Sequence, residues 1–335
     1  MGRYLDSSFR RKDAADKNTP VPLLENLRKN RPFPGWVDLQ VNGHSGISFC
    51  DGNLTLEAVA EATERLREAG TDGFLATLVT TPPEVMTHCL RILGKACANR
   101  DLSRTLLGIH LEGPFLSAEP GAKGAHPPQF MGPPDWDTFR RFQDAAQGQI
   151  RLLTLAPELP GAIPFIERVS QEVVCSAGHT LAGFETLKEA VRAGLRLGTH
   201  IGNGVPAQIH RHDNPIIAQL AIPEITPSFI TDGFHVPESF IRAVLAAKGP
   251  AGCFAVSDQT HLAGMPPGEY ALGVTPVVLE PSGFLRMRDE PYLAGSSCTM
   301  AQCMKFLAGL NILDDSELIK LGYTTPLRIL GKDEL

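Results

Sequence analysis

Four residues of this chain combine useful chemistry with a shared placement. Residues 104–111 form an apolar run that stops at Glu112 and passes directly into Gly113-Pro114. His179, His200 and Asp258 close three later runs of the same kind, at 173–178, 196–199 and 252–257. One carboxylate and two imidazoles make a ligand set suited to Zn2+, with a fourth position left for water. An ion held there polarises a carbonyl and brings the pKa of a bound water towards about 7. Asp258 is then the natural proton shuttle, taking a proton from water and passing it to a leaving nitrogen. Each residue also has a plainer reading. A strand-end histidine can be a hydrogen-bonded structural residue, Glu112 can pair with an arginine, and Asp258 can cap the segment that follows. Coincidence at four equivalent positions is the weaker account.

His110 lies two residues before Glu112 and shares its face of the strand. It fits both a partner that orients a metal ligand and a packed core histidine. Glu158, directly after Pro157, reads as structural, and His44, His88, His210, His212 and His261 read as ordinary surface or core histidines.

The elements that must position these groups alternate regularly. Strand-like runs begin near residues 36, 73, 104, 150, 173, 196, 225 and 252, and helical apolar spacing fills the intervals at 54–69, 84–98, 135–146, 163–171, 184–193, 215–221 and 237–247. Gly70, Gly194 and Gly249 stand just past three of those helices, where a helix stop belongs. Eight strands with intervening helices predict a (β/α)8 TIM-type barrel, whose active sites sit at the C-terminal ends of the strands. Polar groups gather at those ends: Gln40, Asn42, Glu112, Glu158, His179, His200, Asp232, His235 and Asp258. Such groups are costly to bury, and a barrel built for structure alone has no reason to collect them. A doubly wound open sheet would offer a glycine-rich phosphate loop, and the chain has no GxGxxG or GxxxxGK[ST]. The barrel is placed at 34–331, after an N-terminal arm at 1–33 and before a tail at 332–335. Residues 265–297 interrupt the alternation with a hairpin around 277–279, and helices at 300–310 and 316–322 finish it.

Composition narrows the function. With 43% hydrophobic and 20% charged residues the chain has material for a large core. A net charge of −6 gives no basic excess for a nucleic-acid partner. Seven scattered cysteines without a CxxC pair suit a reducing compartment. No apolar run is long enough to cross a membrane. The final Lys332-Asp333-Glu334-Leu335 spells an ER-retrieval signal, which has meaning only after secretory entry. Residues 1–29 lack a secretory h-region, so a cytoplasmic enzyme is expected.

The same segments carry a family resemblance. PGWVDLQVNG at 34–43, GIHLEGPF at 108–115, KGAH at 123–126, LAPE at 155–158, SAGH at 176–179, Thr199-His200 with Asn203, TDGFHV at 231–236, VSD at 256–258 and GSSCTM at 295–300 occur in the order of one known pattern. Over residues 34–331 the chain resembles the N-acetylglucosamine-6-phosphate deacetylases of the amidohydrolase superfamily. The resemblance implies a metal on Glu112, His179 and His200, with Asp258 as general acid and base. It implies that His126 polarises the substrate amide and that His235 and Asn203 lie near the sugar. It also implies that Arg211 grips the sugar phosphate across a homodimer interface, where guanidinium geometry matches phosphate. Gln40 and Asn42 replace the two-histidine pair that opens many amidohydrolases, and amides are poor zinc ligands, so one metal is expected rather than two.

Three departures qualify the match. The accessory β-sandwich of the family is expected to be absent or rudimentary. Ile201-Gly202-Asn203-Gly204-Val205-Pro206 replaces a bulkier aromatic and methionine, and Gln259 follows Asp258 where a small residue is usual. The last two bear on the substrate more than on the chemistry. The expected activity is acetate release from an N-acetyl amino sugar 6-phosphate. The alternatives are hydrolysis of another N-acyl or cyclic amide, and idle sugar-phosphate binding. The second alternative is disfavoured because every proposed ligand and the acid/base are present.

Overall fold

The computed structural model describes residues 34–273, 275–289 and 293–335; the expected N-terminal arm at 1–33 lies outside them. Eight strands form one parallel sheet in chain order: β1 (Trp36–Val41), β4 (Thr71–Val79), β5 (Leu106–Glu112), β6 (Ile150–Leu155), β7 (Val174–Ala177), β8 (Leu197–Gly198), β9 (Thr226–Ile230) and β10 (Phe254–Val256). A hairpin of two short strands, β2 (Gly43–His44) and β3 (Ile47–Ser48), follows β1. The barrel strands are covered on both faces, as parallel sheets require. All six residues of β1 are buried, Asp38 and Gln40 included.

The first and last strands close the ring. Val41 bridges Gln259 in parallel, and the Asn42 amide donates to the Gln259 carbonyl at 2.9 Å. Ser257 donates its backbone N–H to Asp38 Oδ1 at 3.2 Å and its hydroxyl to Asp38 Oδ2. Burial drives the Asp38 carboxyl up to about 7, against the hydrogen bonds of Ser257 and the Gln40 amide.

Helices cover the outside: α1 (Leu56–Glu68), α2 (Pro83–Ala98), α3 (Trp136–Ala145), α4 (Ala162–Val169), α5 (Phe184–Arg192), α6 (Pro215–Ala221) and α7 (Glu238–Lys248). Their starts are written in side chains. Thr55, Asp135 and Asn214 accept the first free amides of α1, α3 and α6. α1 turns Val59, Ala62, Thr63 and Leu66 inward, the spacing of one helical face. After the barrel come α8 (Met300–Gly309) and α9 (Asp315–Ile319), each opened by a capping box. A π turn (Lys320–Thr324) then leads into α10 (Thr325–Ile329), which the sequence reading misses because Pro326 resembles a stop rather than a first-turn proline. Leu327 of α10 joins Val37, Leu39, Leu75 and Phe254 in one buried cluster.

The interruption after β10 is a three-stranded antiparallel sheet rather than a simple hairpin: β11 (Gly268–Leu272), β12 (Thr275–Leu279) and β13 (Leu285–Met287). Among the described residues no β-sandwich is formed.

Replacing Asp38 with alanine leaves the Ser257 donors unpaired inside the seam. A cost of about 1–3 kcal/mol is expected, read as a lower urea midpoint with an unchanged slope.

Candidate metal centre

Glu112 ends β5 and turns its carboxylate into the barrel mouth, buried at 2% exposure. His179 and His200 follow β7 and β8 and reach the same point. Glu112 Oε1 lies 3.2 Å from His179 Nε2 and 3.0 Å from His200 Nε2, and the two nitrogens are 3.2 Å apart. The chain turns at these strand ends in an unusual way. His179 (φ 50°), His200 (φ 33°) and Asp258 (φ 48°) adopt left-handed backbone, as do only three other non-glycine residues among those described. That conformation is uncommon outside glycine and clusters at functional sites.

Hydrogen bonds settle what the histidines can do. His179 Nδ1 is 2.7 Å from the Ala122 carbonyl, which can only accept. Nδ1 therefore carries a proton, and Nε2 is the nitrogen turned towards Glu112 and His200, where it can give a lone pair to a cation once its own proton is lost. A tetrahedral ion with bonds of about 2.0–2.1 Å needs donors about 3.3 Å apart. The observed triangle matches that spacing within a few tenths of an ångström. Burial opposes the charge on Glu112, but hydrogen bonds and the charges of His179 and His200 outweigh it and hold the carboxyl well below its usual range. A carboxylate with two imidazoles, dry and convergent, fits a divalent cation.

His126 brings a ring nitrogen within 4.8 Å of donor atoms on Glu112 and His179. Its wiring differs. The Thr80 backbone N–H donates to His126 Nδ1 at 3.3 Å, with the Thr80 hydroxyl also 3.0 Å away. Nδ1 is thus an acceptor, and the neutral ring keeps its proton on Nε2. Burial and the neighbouring His179 lower its pKa to about 3, so the ring is neutral at physiological pH. The neutral ring thereby offers a hydrogen-bond donor next to Glu112 and His179.

Asp258 is partly open to the mouth and accepts from Asn42 Nδ2 at 2.9 Å. Burial and the Glu112 charge raise its pKa to about 6. His235 donates from Nδ1 to Asp232 Oδ2 at 2.7 Å, while Asp232 Oδ1 accepts the amides of Phe234 and His235. Burial works against a charged His235, but Asp232 outweighs it and raises the pKa. Asn203 folds back on the His200 carbonyl through its backbone at 2.9 Å and its side chain at 3.3 Å. Arg211 is not brought in: it is exposed, with no ion-pair partner among the described residues.

Three expectations are refined. His110 is a barrel-interior residue, bonded to the Leu39 carbonyl and to Thr154, with Thr199 and Ser176 continuing the network. Glu158 holds the loop after His179 by accepting from Thr180 and the Leu181 amide. Gln259 is fully buried and donates to the Gly43 carbonyl, with His44 Nδ1 also 3.0 Å away, so its side chain serves the seam rather than the substrate. Thr80 and Ala122 are the site residues that sequence reasoning missed, and it placed Asn42 and Asp232 at strand ends without giving them these partners. Their signal is position alone, just past a strand or in the loop that carries His126.

Curated proteins resemble this chain over most of its length. N-acetylglucosamine-6-phosphate deacetylase of Lysinibacillus sphaericus is 30% identical over 310 residues, 90% of this chain and 78% of that protein. The Bacillus subtilis enzyme of the same name is 32% identical over 299 residues, covering 88% and 72%. The chain belongs to the N-acetylglucosamine-6-phosphate deacetylase family. A variant of the Mycobacterium smegmatis deacetylase, solved in complex with N-acetyl-D-glucosamine-6-phosphate, superposes with a TM-score of 0.81 at 30% identity, covering 89% of this chain and 77% of that one. An Escherichia coli O157:H7 relative at 28% identity, covering 94% of this chain and 82% of its own, is an N-acetylgalactosamine-6-phosphate deacetylase. No family model matches the chain. No helix among the described residues of this deacetylase-family chain is long and apolar enough to cross a membrane.

Gly204 and Gly124 wall the His179 ring: a Cβ on Gly204 would meet Nδ1 at 2.8 Å, and one on Gly124 would meet Cε1 at 2.9 Å. Gly204→Ala is expected to weaken metal affinity about 10–100-fold by tilting His179, measured by chelator competition. Glu112→Gln is expected to lose stoichiometric metal.

Proposed function

We propose that this protein hydrolyses the amide of N-acetylglucosamine 6-phosphate to glucosamine 6-phosphate and acetate, using one Zn2+ held by Glu112, His179 and His200. The observation that carries this reading is the meeting of those three donors beside Asp258 and a neutral His126, in a chain of the deacetylase family. When bound, the ion acidifies a water and withdraws charge from the acetyl carbonyl.

The chain's own residues do the rest. His126 Nε2–H points its donor capacity at the carbonyl oxygen, where negative charge develops during attack. Its neutrality matters, since it stabilises the oxyanion without surrendering a proton. Asp258, ionised above about pH 6, takes the proton of the attacking water. The protonated Asp258 then returns that proton to the amine nitrogen as the C–N bond breaks. Asp232 fixes the His235 ring so that Nε2 is the group left for the sugar or its phosphate. Gln40 and Asn42 supply no imidazoles, which supports one ion rather than two.

The phosphate is assigned to Arg211 of a second copy in a homodimer. Arg211 lies in an exposed loop whose Asp213 accepts the Phe184 amide, and Leu181, Phe184 and Ile217 are exposed apolar residues in the neighbouring segments. We place the dimer in the cytoplasm, where its seven free thiols stay reduced.

An acetate-release assay over N-acetylglucosamine, N-acetylgalactosamine and their 6-phosphates tests the function. The 6-phosphate of N-acetylglucosamine is expected to react best, and no acetate from any of them overturns the reading. Asp258→Asn should retain fold and metal and lose about 100- to 10,000-fold in kcat. The rate should fall with decreasing pH as the Asp258 carboxylate is protonated, at about 6 or below, because a bound dication lowers that pKa further. Arg211→Ala should cost about 10–100-fold in kcat/KM on the phosphorylated sugar only. Mixed dimers of Arg211→Ala and Asp258→Asn chains should regain activity if the arginine acts in trans.

A further inference from the structure

The side chain of Asn42 is committed on one side and empty on the other. Its Nδ2 donates to Asp258 Oδ1 at 2.9 Å and to the Gln259 carbonyl at 3.2 Å. The Gln259 carbonyl and the ionised Asp258 can only accept, so the amide cannot be flipped without setting oxygen against oxygen. Its Oδ1 is buried with no hydrogen-bond partner, a cost that a purely structural asparagine has no reason to carry. The backbone of Asn42 is pinned as well: its N–H donates to the Gln259 carbonyl, and its carbonyl accepts from Phe49 at 3.0 Å. Asn42 therefore stands on the barrel seam and reaches across it to the one carboxylate assigned to proton transfer.

We propose that Asn42 is a positioning residue for the reaction: it fixes the Asp258 carboxylate through Oδ1 and leaves Oδ2 as the oxygen that handles the proton. The inference rests on the deacetylase reading for its kinetic part and on geometry for the rest. Asp258 sits in left-handed backbone at the end of β10, which aims the residue, but its side chain still has rotational freedom. One hydrogen bond to Oδ1 removes that freedom. No other side-chain donor to Asp258 is present among the described residues. The bond also favours the ionised form, working against burial and the Glu112 charge, so Asn42 keeps Asp258 a usable base. Its Oδ1, buried next to Asp258, remains as an acceptor for a proton-bearing group that enters the site.

Asn42→Ala and the isosteric Asn42→Asp, prepared as full-length, metal-loaded protein, test this. Asn42→Ala should lower kcat about 10- to 100-fold, with KM within about two-fold and metal content unchanged. In an Asp258→Asn background it should cost nothing further, because the residue acts through Asp258. Asn42→Asp preserves the seam's backbone bonds and size but sets a carboxylate against Asp258, so the acidic limb of the rate profile should move up by about one unit or more. The carboxyl 13C resonance of Asp258, assigned by its loss in Asp258→Asn, reports the hydrogen bond without substrate and should shift in both variants. An unmoved resonance, or a wild-type kcat in Asn42→Ala, overturns the positioning role. A wild-type protein that releases no acetate overturns the deacetylase reading instead, and the resonance still decides the role of Asn42.

Discussion

Everything at the barrel mouth answers to one constraint: three electron-rich atoms, on Glu112, His179 and His200, are held about 3 Å apart away from water. Burial opposes the carboxylate charge, and the two imidazoles hydrogen-bonded to it offset that cost where no cation does so. The fold keeps them together by bringing each from a separate strand end, and at His179 and His200 it bends the chain through left-handed backbone. Gly113 contributes at the same place. It lies at φ 89°, and a Cβ there would strike the Thr80 hydroxyl that supports His126. The positions that look strained are the positions that aim side chains.

Around this triangle, protons are assigned by neighbours chosen for what they can and cannot do. A carbonyl at Ala122 forces the His179 proton outward to Nδ1, and a backbone N–H at Thr80 forces the His126 proton inward to Nε2. Two buried imidazoles with centroids 4.4 Å apart thereby acquire opposite roles, one offering a lone pair and one a hydrogen. Identity of residue type says nothing about this division. The backbone groups that impose it sit in a loop and at a strand end.

That is why the sequence disclosed the skeleton better than the wiring. Strand starts at 36, 71, 106, 150, 174, 197, 226 and 254 all fall within two residues of expectation, because buried parallel strands are apolar runs bounded by turns. Glu112, His179, His200 and Asp258 were legible as a set for the same reason, since each ends such a run. Thr80 and Ala122 were not, being residues of common type whose contribution is a backbone atom or a hydroxyl. Asn42 was legible as a polar strand-end group and a missing histidine, while its hydrogen bond to Asp258 depends on closure between β1 and β10, a contact 216 residues apart in sequence. The three-stranded sheet after β10 was legible only as a hairpin around 277–279.

The loop after His200 carries the last point. Both of its glycines sit at positive φ with their surroundings filled. A Cβ on Gly202 would meet the Phe240 ring at 2.8 Å, and one on Gly204 would meet His179 at the same distance. Phe240, from α7, takes up the volume beside Gly202. The small residues are thus dictated by packing against an aromatic ring and against a candidate metal ligand. At these two positions the loop walls in His179 and packs on Phe240, and it opens no gap for a larger substrate.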